Sequence, residues 1–269
     1  MDTTVKEIFS IIDEIAPFSL AEEWDNCGLQ AGNFSWRVKK ILVGLDVSMS
    51  LMNHAAASKA DLVVSHHPLM IRPPKSIDFA IMPGSAIAIA AAHKISIISA
   101  HTNLDKVEGG LNDHFANILG LKEIKVLVPS DNRDGIGRSG ELEKASSLKE
   151  LALYIKNIFK LKALRIIGNP DLPVKHIALC TGSGGSLLRD FFKSGADVFI
   201  TGDIKYHEAR EIEDAGLGLI DVGHFASEII SVDILCKKLK NAVIKNNMNL
   251  EIEGFYTESD PFITLCDAM

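Results

Sequence analysis

No run of eighteen apolar residues occurs in this chain, so nothing in it reads as a helix that spans a bilayer. Basic charge is in deficit: 28 Lys and Arg face 35 Asp and Glu, for a net charge of −7. That argues against duplex nucleic acid as a default partner, because neutralising phosphates takes a basic face. Cysteine is scarce as well. Cys27, Cys180, Cys236 and Cys266 include no C-x-x-C pair, which excludes a zinc knuckle and a disulfide framework and fits a reducing cytoplasm. Each reads as a small apolar residue, with Cys27 in Trp-Asp-Asn-Cys-Gly the least secure. The opening MDTTVKEIFSIIDEIAP carries acidic residues and no small-residue cleavage site, unlike a secretory signal.

What is present is a large apolar fraction, 47% of 269 residues, with 23% charged. This is a globular composition with enough core for one large domain or two small ones. Val5, Ile8, Ile12 and Ile15 recur at helical spacing before Pro17. Strands are expected at 40–45, 61–64 and 95–98, with helices at 48–59 and 85–92 between them and a loop at Pro73-Pro74. The polar, Gly-rich stretch 130–141 reads as a loop or domain junction. Ser147 with Glu150 makes a capping box for the next helix. Strands near 163–167, 176–180, 197–201 and 217–222 alternate with helices, and a long helix starts near 227. Such alternation predicts an α/β protein with mostly parallel sheets.

The chain repeats itself. Placed on 177–201, segment 41–65 aligns without a gap: Ile41 meets Ile177, Ser50 meets Ser186, and Ala60-Asp61 meets Ala196-Asp197. Downstream, one copy continues into His101-x-x-x-Asp105 and the other into His224-x-x-x-Glu228, each after an apolar strand. Two similar α/β units follow from this.

Ligands bind at the carboxyl ends of parallel strands, and polar side chains gather there. Ser65-His66-His67-Pro68, His101 with Asp105, Thr201-Gly202-Asp203 and His224 with Glu228 all follow strands. Imidazole with carboxylate suits zinc, iron, manganese or cobalt. Side chains alternate along an extended segment, so His66 and His67 are expected to point to opposite sides. Two ions bridged by a carboxylate, about 3.5–4 Å apart, would use both. His54, His93, His114 and His176 read as hydrogen-bonded surface residues, while His207 either supports a ligand or is solvated. The stretch Thr181-Gly-Ser-Gly-Gly-Ser186 is either a phosphate cradle or a tight turn with close packing; it lacks a P-loop lysine and fails G-x-G-x-x-G.

These segments, with Trp24-Asp-Asn-Cys-Gly-Leu-Gln30 and Thr201-Gly-Asp-Ile-Lys-Tyr-His207, resemble the dinuclear-metal-centre proteins known as GTP cyclohydrolase 1 type 2 homologues. The resemblance implies two interlocked α/β/α units, 1–128 with 229–269 and then 129–228, in the compact form without the family's large inserted domain. It implies a cytoplasmic homohexameric ring, or toroid, with two divalent cations per subunit. His67 and Asp105 would hold one ion, His66 and His224 the other, and Glu228 would bridge them. His101 would act beside the pair in acid/base chemistry, as would Glu228. The implied activity is a hydrolase that opens the guanine ring of GTP, releasing formate and leaving dihydroneopterin triphosphate. Lys106, Lys205 and Arg210 are candidates to meet the triphosphate. The alternatives are a metal-dependent phosphoesterase or amidohydrolase, and a non-catalytic metal-binding ring scaffold or regulatory protein. Small-molecule substrates, a nucleotide among them, are expected; membrane and nucleic acid are not.

Overall fold

The computed structural model describes residues 3–130 and 133–265. They divide into two compact units, 3–107 with 230–258 and 108–229 with 259–265. Cys266 lies outside the described residues.

The first unit opens with α1 (Val5–Ile15), capped by a reciprocal Thr4–Glu7 box, with Val5, Ile8, Ile11 and Ile12 buried. Then come β1 (Gly28–Ala31), β2 (Lys40–Gly44), α2 (Met49–Ala57), β3 (Leu62–Ser65), α3 (Gly84–His93), β4 (Ser96–Ser99) and α4 (Thr102–Lys106). The second unit holds α5 (Leu111–Ile118), β5 (Lys122–Pro129), β6 (Gly135–Ser147), α6 (Leu148–Ile158), β7 (Arg165–Ile167), β8 (Pro173–Ser183), α7 (Leu188–Ser194), β9 (Val198–Gly202), α8 (Tyr206–Asp214), β10 (Gly218–Asp221) and α9 (His224–Glu228). The chain then returns to the first unit with α10 (Ile230–Lys245) and β11 (Glu251–Gly254).

The first sheet has the order β1-β4-β3-β2-β11. All pairs are parallel except β1 with β4. Its inner strands β2, β3 and β4 are buried on both faces, as parallel strands under helices must be. Leu42, Val63 and Ile97 pack with Leu51, Met52 and Ala90 of α2 and α3, and the alternate residues Ile41, Val43, Leu62 and Val64 are equally buried. The second sheet has the order β5-β6-β8-β9-β10-β7. Only β8-β9-β10 is parallel there, flanked by antiparallel β5, β6 and β7. Both sheets are thus mixed and the α/β class holds, with no inserted domain between β5 and β8 among the described residues.

Three expectations need correction. Within the stretch expected to be a loop at 130–141, residues 131–132 lie outside the described residues, and residues 135–141 belong to strand β6. Its glycines serve close strand contact: a Cβ on Gly135, at φ +151°, would meet Val128 O at 2.3 Å. Because β5 pairs with β6, residues 108–128 group with the second unit, and the expected boundary at 128/129 falls inside that hairpin. Residues 259–265 also group with the second unit. The helix expected from 227 is two helices, α9 and α10.

The repeat extends to hydrogen bonds. Asp61 Oδ2 accepts from Lys39 N and Lys40 N at 2.7 and 3.0 Å. Asp197 Oδ2 accepts from the aligned Lys175 N and His176 N, both at 2.8 Å. In each unit an aspartate heading one strand fixes the start of its parallel neighbour.

Candidate metal centre

In the first unit, His66 and His67 follow β3, and their backbone N–H groups continue its pairing by donating to Gly44 O and Leu45 O at 3.2 and 2.9 Å. The strand has ended at Ser65, so side-chain alternation no longer applies. Contrary to expectation, the two rings converge, with centroids 5.1 Å apart. His101, at the N-cap of α4, brings a third ring 5.2 Å from His66 and 5.5 Å from His67. One ring nitrogen from each of the three lies within 4.8 Å of the others. One helical turn on, buried Asp105 turns Oδ1 toward buried His66 Nε2 at 3.7 Å, beyond hydrogen-bond reach.

In the second unit, Gly223 caps α9 at φ +85°, His224 begins it and Glu228 ends it. The i,i+4 spacing stacks the two side chains on one face, with His224 Nε2 2.8 Å from Oε2 of Glu228, itself 3% exposed. The glycine-rich stretch makes room for this carboxylate. Gly182 has φ +66°, and a Cβ there would sit 2.1 Å from Glu228 Oε1. Three backbone donors of that stretch are used internally: Thr181 N donates to Asn112 Oδ1, Gly182 N to Ser227 Oγ and Gly184 N to Thr201 Oγ1. The glycines of this stretch serve close packing: a Cβ on Gly184 would meet Thr201 Oγ1 at 2.4 Å.

All four rings are held the same way, through Nδ1. It donates to Ala100 O from His66 at 2.9 Å, to Asp46 Oδ1 from His67 at 2.8 Å, to Asp25 Oδ1 from His101 at 3.0 Å, and to Asp203 Oδ2 from His224 at 2.7 Å. Each bond places a ring proton on Nδ1 and turns Nε2 away from the anchor, the arrangement that metal-binding histidines take. Imidazole nitrogen and carboxylate oxygen are the donors that zinc, iron, manganese and cobalt accept. His224 Nε2 and Glu228 Oε2 stand 2.8 Å apart, a contact that a proton or a cation between them stabilises. The donor set fits divalent ions.

Asp25, Asp46 and Asp203 are ring-holders that the sequence does not mark as such, although Asp25 lies in Trp24-Asp-Asn-Cys-Gly and Asp203 in Thr201-Gly-Asp. Asp25 also accepts from Thr102 N and Cys27 Sγ. Burial pushes its carboxyl up, but hydrogen bonds from His101, Cys27 and Thr102 outweigh this and hold it well below the usual carboxylate range. Burial, with Asp25 beside it, pushes the Cys27 thiol up to about 12; Cys27 is a donor to this clamp and not a nucleophile. Burial likewise raises Cys236 to about 11.

The remaining candidates have other contacts. His54 pairs with Glu253 at 3.2 Å and His176 with Glu141 at 3.6 Å. His93 and His207 are exposed and His114 is half-buried. Of the cations offered to a triphosphate, Lys106 is buried on Glu22 at 2.7 Å, Lys205 lies 3.9 Å from Glu208, and Arg210 pairs with Glu213 and Asp214.

Fold and site together define a class: a two-unit α/β protein carrying oriented histidines and carboxylates beyond the ends of its parallel strands. The model of the Duf34/NIF3 (NGG1p interacting factor 3) family matches residues 3–261, and the chain belongs to that family. It is 35% identical over 265 residues to the GTP cyclohydrolase 1 type 2 homolog of Clostridium acetobutylicum, covering 97% of this chain and 99% of that protein. The Bacillus cereus protein related to NIF3 shares the fold with a TM-score of 0.93 at 24% identity, over 98% of this chain and 100% of that one. Reduced HcgD from Methanocaldococcus jannaschii has a TM-score of 0.77 at 31% identity, over 94% and 98%. No helix among the described residues is long and apolar enough to cross a membrane.

Proposed function

We propose that the chain is a dinuclear metal-dependent hydrolase acting on a small molecule, with GTP ring opening as its leading reaction. His67 and Asp105 would hold one cation and His66 and His224 the other, with Glu228 shared between them. The observation that carries this reading is the common Nδ1 anchoring of four histidines, which leaves Nε2 as the reactive ring atom, for a cation in His66, His67 and His224 and for a proton in His101. A divalent pair bound there would lower the pKa of its water and polarise the attacked centre. The side chains do the rest. Asp25 pins His101 and fixes its tautomer, so that Nε2 is the atom to receive a proton within hydrogen-bond reach. Buried Glu228 keeps its place because Gly182 presents no side chain against it.

The test is formate release from GTP by purified protein loaded in turn with zinc, iron, manganese and cobalt. Turnover lost on Glu228→Ala supports the proposal; no turnover with any metal overturns the GTP version. One observation favours a second reading. Because Lys106, Lys205 and Arg210 all have carboxylate partners, a cyclic amide without phosphates competes with GTP, and a panel of cyclic amides and phosphate esters separates the substrates. The same reading includes assembly into a homohexameric ring, which native mass spectrometry of the purified chain tests.

A further inference from the structure

We propose that Glu258, near the end of the chain, is a positioning residue for His67, acting through Asp46; this rests on the reading of the site as a metal centre. After β11 the chain stays beside the end of β2, with Phe255 N donating to Val43 O at 2.7 Å and the Phe255 side chain buried. Three residues on, the Glu258 carboxylate takes two successive backbone donors, Leu45 N on Oε2 at 2.8 Å and Asp46 N on Oε1 at 3.0 Å. A carboxylate spanning two neighbouring amides fixes the peptide plane between them, and with it the direction in which Asp46 leaves the chain. Asp46 then holds His67 Nδ1 at 2.8 Å, and Leu45 O accepts from His67 N at 2.9 Å. Ring and backbone of His67 are both secured by the two residues that Glu258 clamps.

The second unit supplies the contrast. The aligned donors, Thr181 N and Gly182 N, go to the neutral acceptors Asn112 Oδ1 and Ser227 Oγ. Gly182 has no side chain to aim, and Asp203 stands where the first unit has His67. The charged clamp thus occurs in the unit where the second amide belongs to an aspartate that holds a ring. It works against resistance: burial pushes the Glu258 carboxyl up, the two amides oppose this, and the nearby charge of Asp46 adds to the rise.

The test is equilibrium Zn²⁺ affinity of the full chain by chelator competition, for Glu258→Gln, Asp46→Asn, Asp203→Asn and the doubles that pair Glu258→Gln with each aspartate change. Glutamine keeps one acceptor and turns an NH₂ toward the other amide. Glu258→Gln is expected to weaken binding about tenfold. That loss disappears in the Asp46→Asn background and persists in full with Asp203→Asn. A merely structural role would add in both backgrounds. Unchanged affinity in Glu258→Gln, or full additivity with Asp46→Asn, overturns the proposal. If the wild-type chain binds no Zn²⁺, the metal reading fails by itself, and a crystal structure of metal-free Glu258→Gln then decides the positioning. His67 turned off Asp46 supports it; His67 still donating to Asp46 overturns it.

Discussion

The two units share a frame and differ in what they hang on it. Each starts a parallel strand pair with an aspartate on two backbone donors, Asp61 in one and Asp197 in the other. Each ends in a short helix that carries a carboxylate four residues after a histidine. Between these fixed points the strand ends diverge. The first unit has His66-His67 where the second has Gly202-Asp203, and Asp46 where the second has Gly182. The first therefore gathers three imidazoles, with Asp25 and Asp46 holding two of them. The second offers one imidazole, held by its own Asp203, beside a carboxylate that fills the space glycine leaves. Core positions inside the strands stayed apolar in both units while the positions just beyond the strands changed. That is where a side chain reaches a ligand without disturbing the packed layers.

The largest expected effect lies in the part of the second unit with no counterpart in the first. Arg138, 1% exposed, donates from Nε and Nη2 to Asp113 at 2.6 and 2.7 Å and from Nη1 to Gly135 O and Gly137 O. Arg138→Met leaves Asp113 without that partner and should cost about 3–5 kcal/mol in urea unfolding; a loss below about 1 kcal/mol would show that the antiparallel extension does not lean on this pair. Next is a test at a single aligned position. Gly182→Ala forces a left-handed backbone onto alanine and drives Cβ into Glu228, for a loss of about 1–3 kcal/mol. At the equivalent place, Asp46→Ala should leave stability within about 1 kcal/mol. Equal losses at both would break the comparison.

Asp25 gives a smaller, pH-dependent effect. Its folded value lies below the unfolded value of 3.8, so its contribution is complete above that pH and is lost as pH falls toward the folded value. Asp25→Asn should flatten the acid limb of a stability–pH curve, and an unchanged limb would contradict the clamp on His101. The smallest effect is on Cys27. Its thiol is raised from 9.0 to about 12, so the preference for the neutral form stabilises the fold below pH 9 and is lost as pH rises toward 12. Alkylation of Cys27 at pH 8 should be far slower than that of a free thiol, measured by mass spectrometry; rapid modification would show a thiolate that the geometry does not provide.

Much of this was legible in the sequence, for identifiable reasons. β2, β3, β4, β8, β9 and β10 carry apolar, β-branched runs bounded by polar residues, and Ser147 with Glu150 marks the start of α6 in its side chains. The histidines stood out because they follow those runs. β6 was hidden because its glycines, which allow close strand contact, resemble turn residues. β1 and β11, Gly28-Leu-Gln-Ala31 and Glu251-Ile-Glu-Gly254, mix polar and apolar residues and carry no apolar run. The convergence of His66 and His67 was misread because alternation was carried past the end of β3. The ring-holding aspartates were missed because pairs such as Asp25 with His101 are separated by 76 positions and meet only in the folded unit.

The most direct measurement is the number of metal ions per chain, by elemental analysis after loading and gel filtration. Two ions per wild-type chain, falling below one on Glu228→Ala, is the result expected from two imidazole–carboxylate sites that share this residue. A wild-type chain that emerges from zinc, iron, manganese and cobalt loading with no bound ion would contradict it.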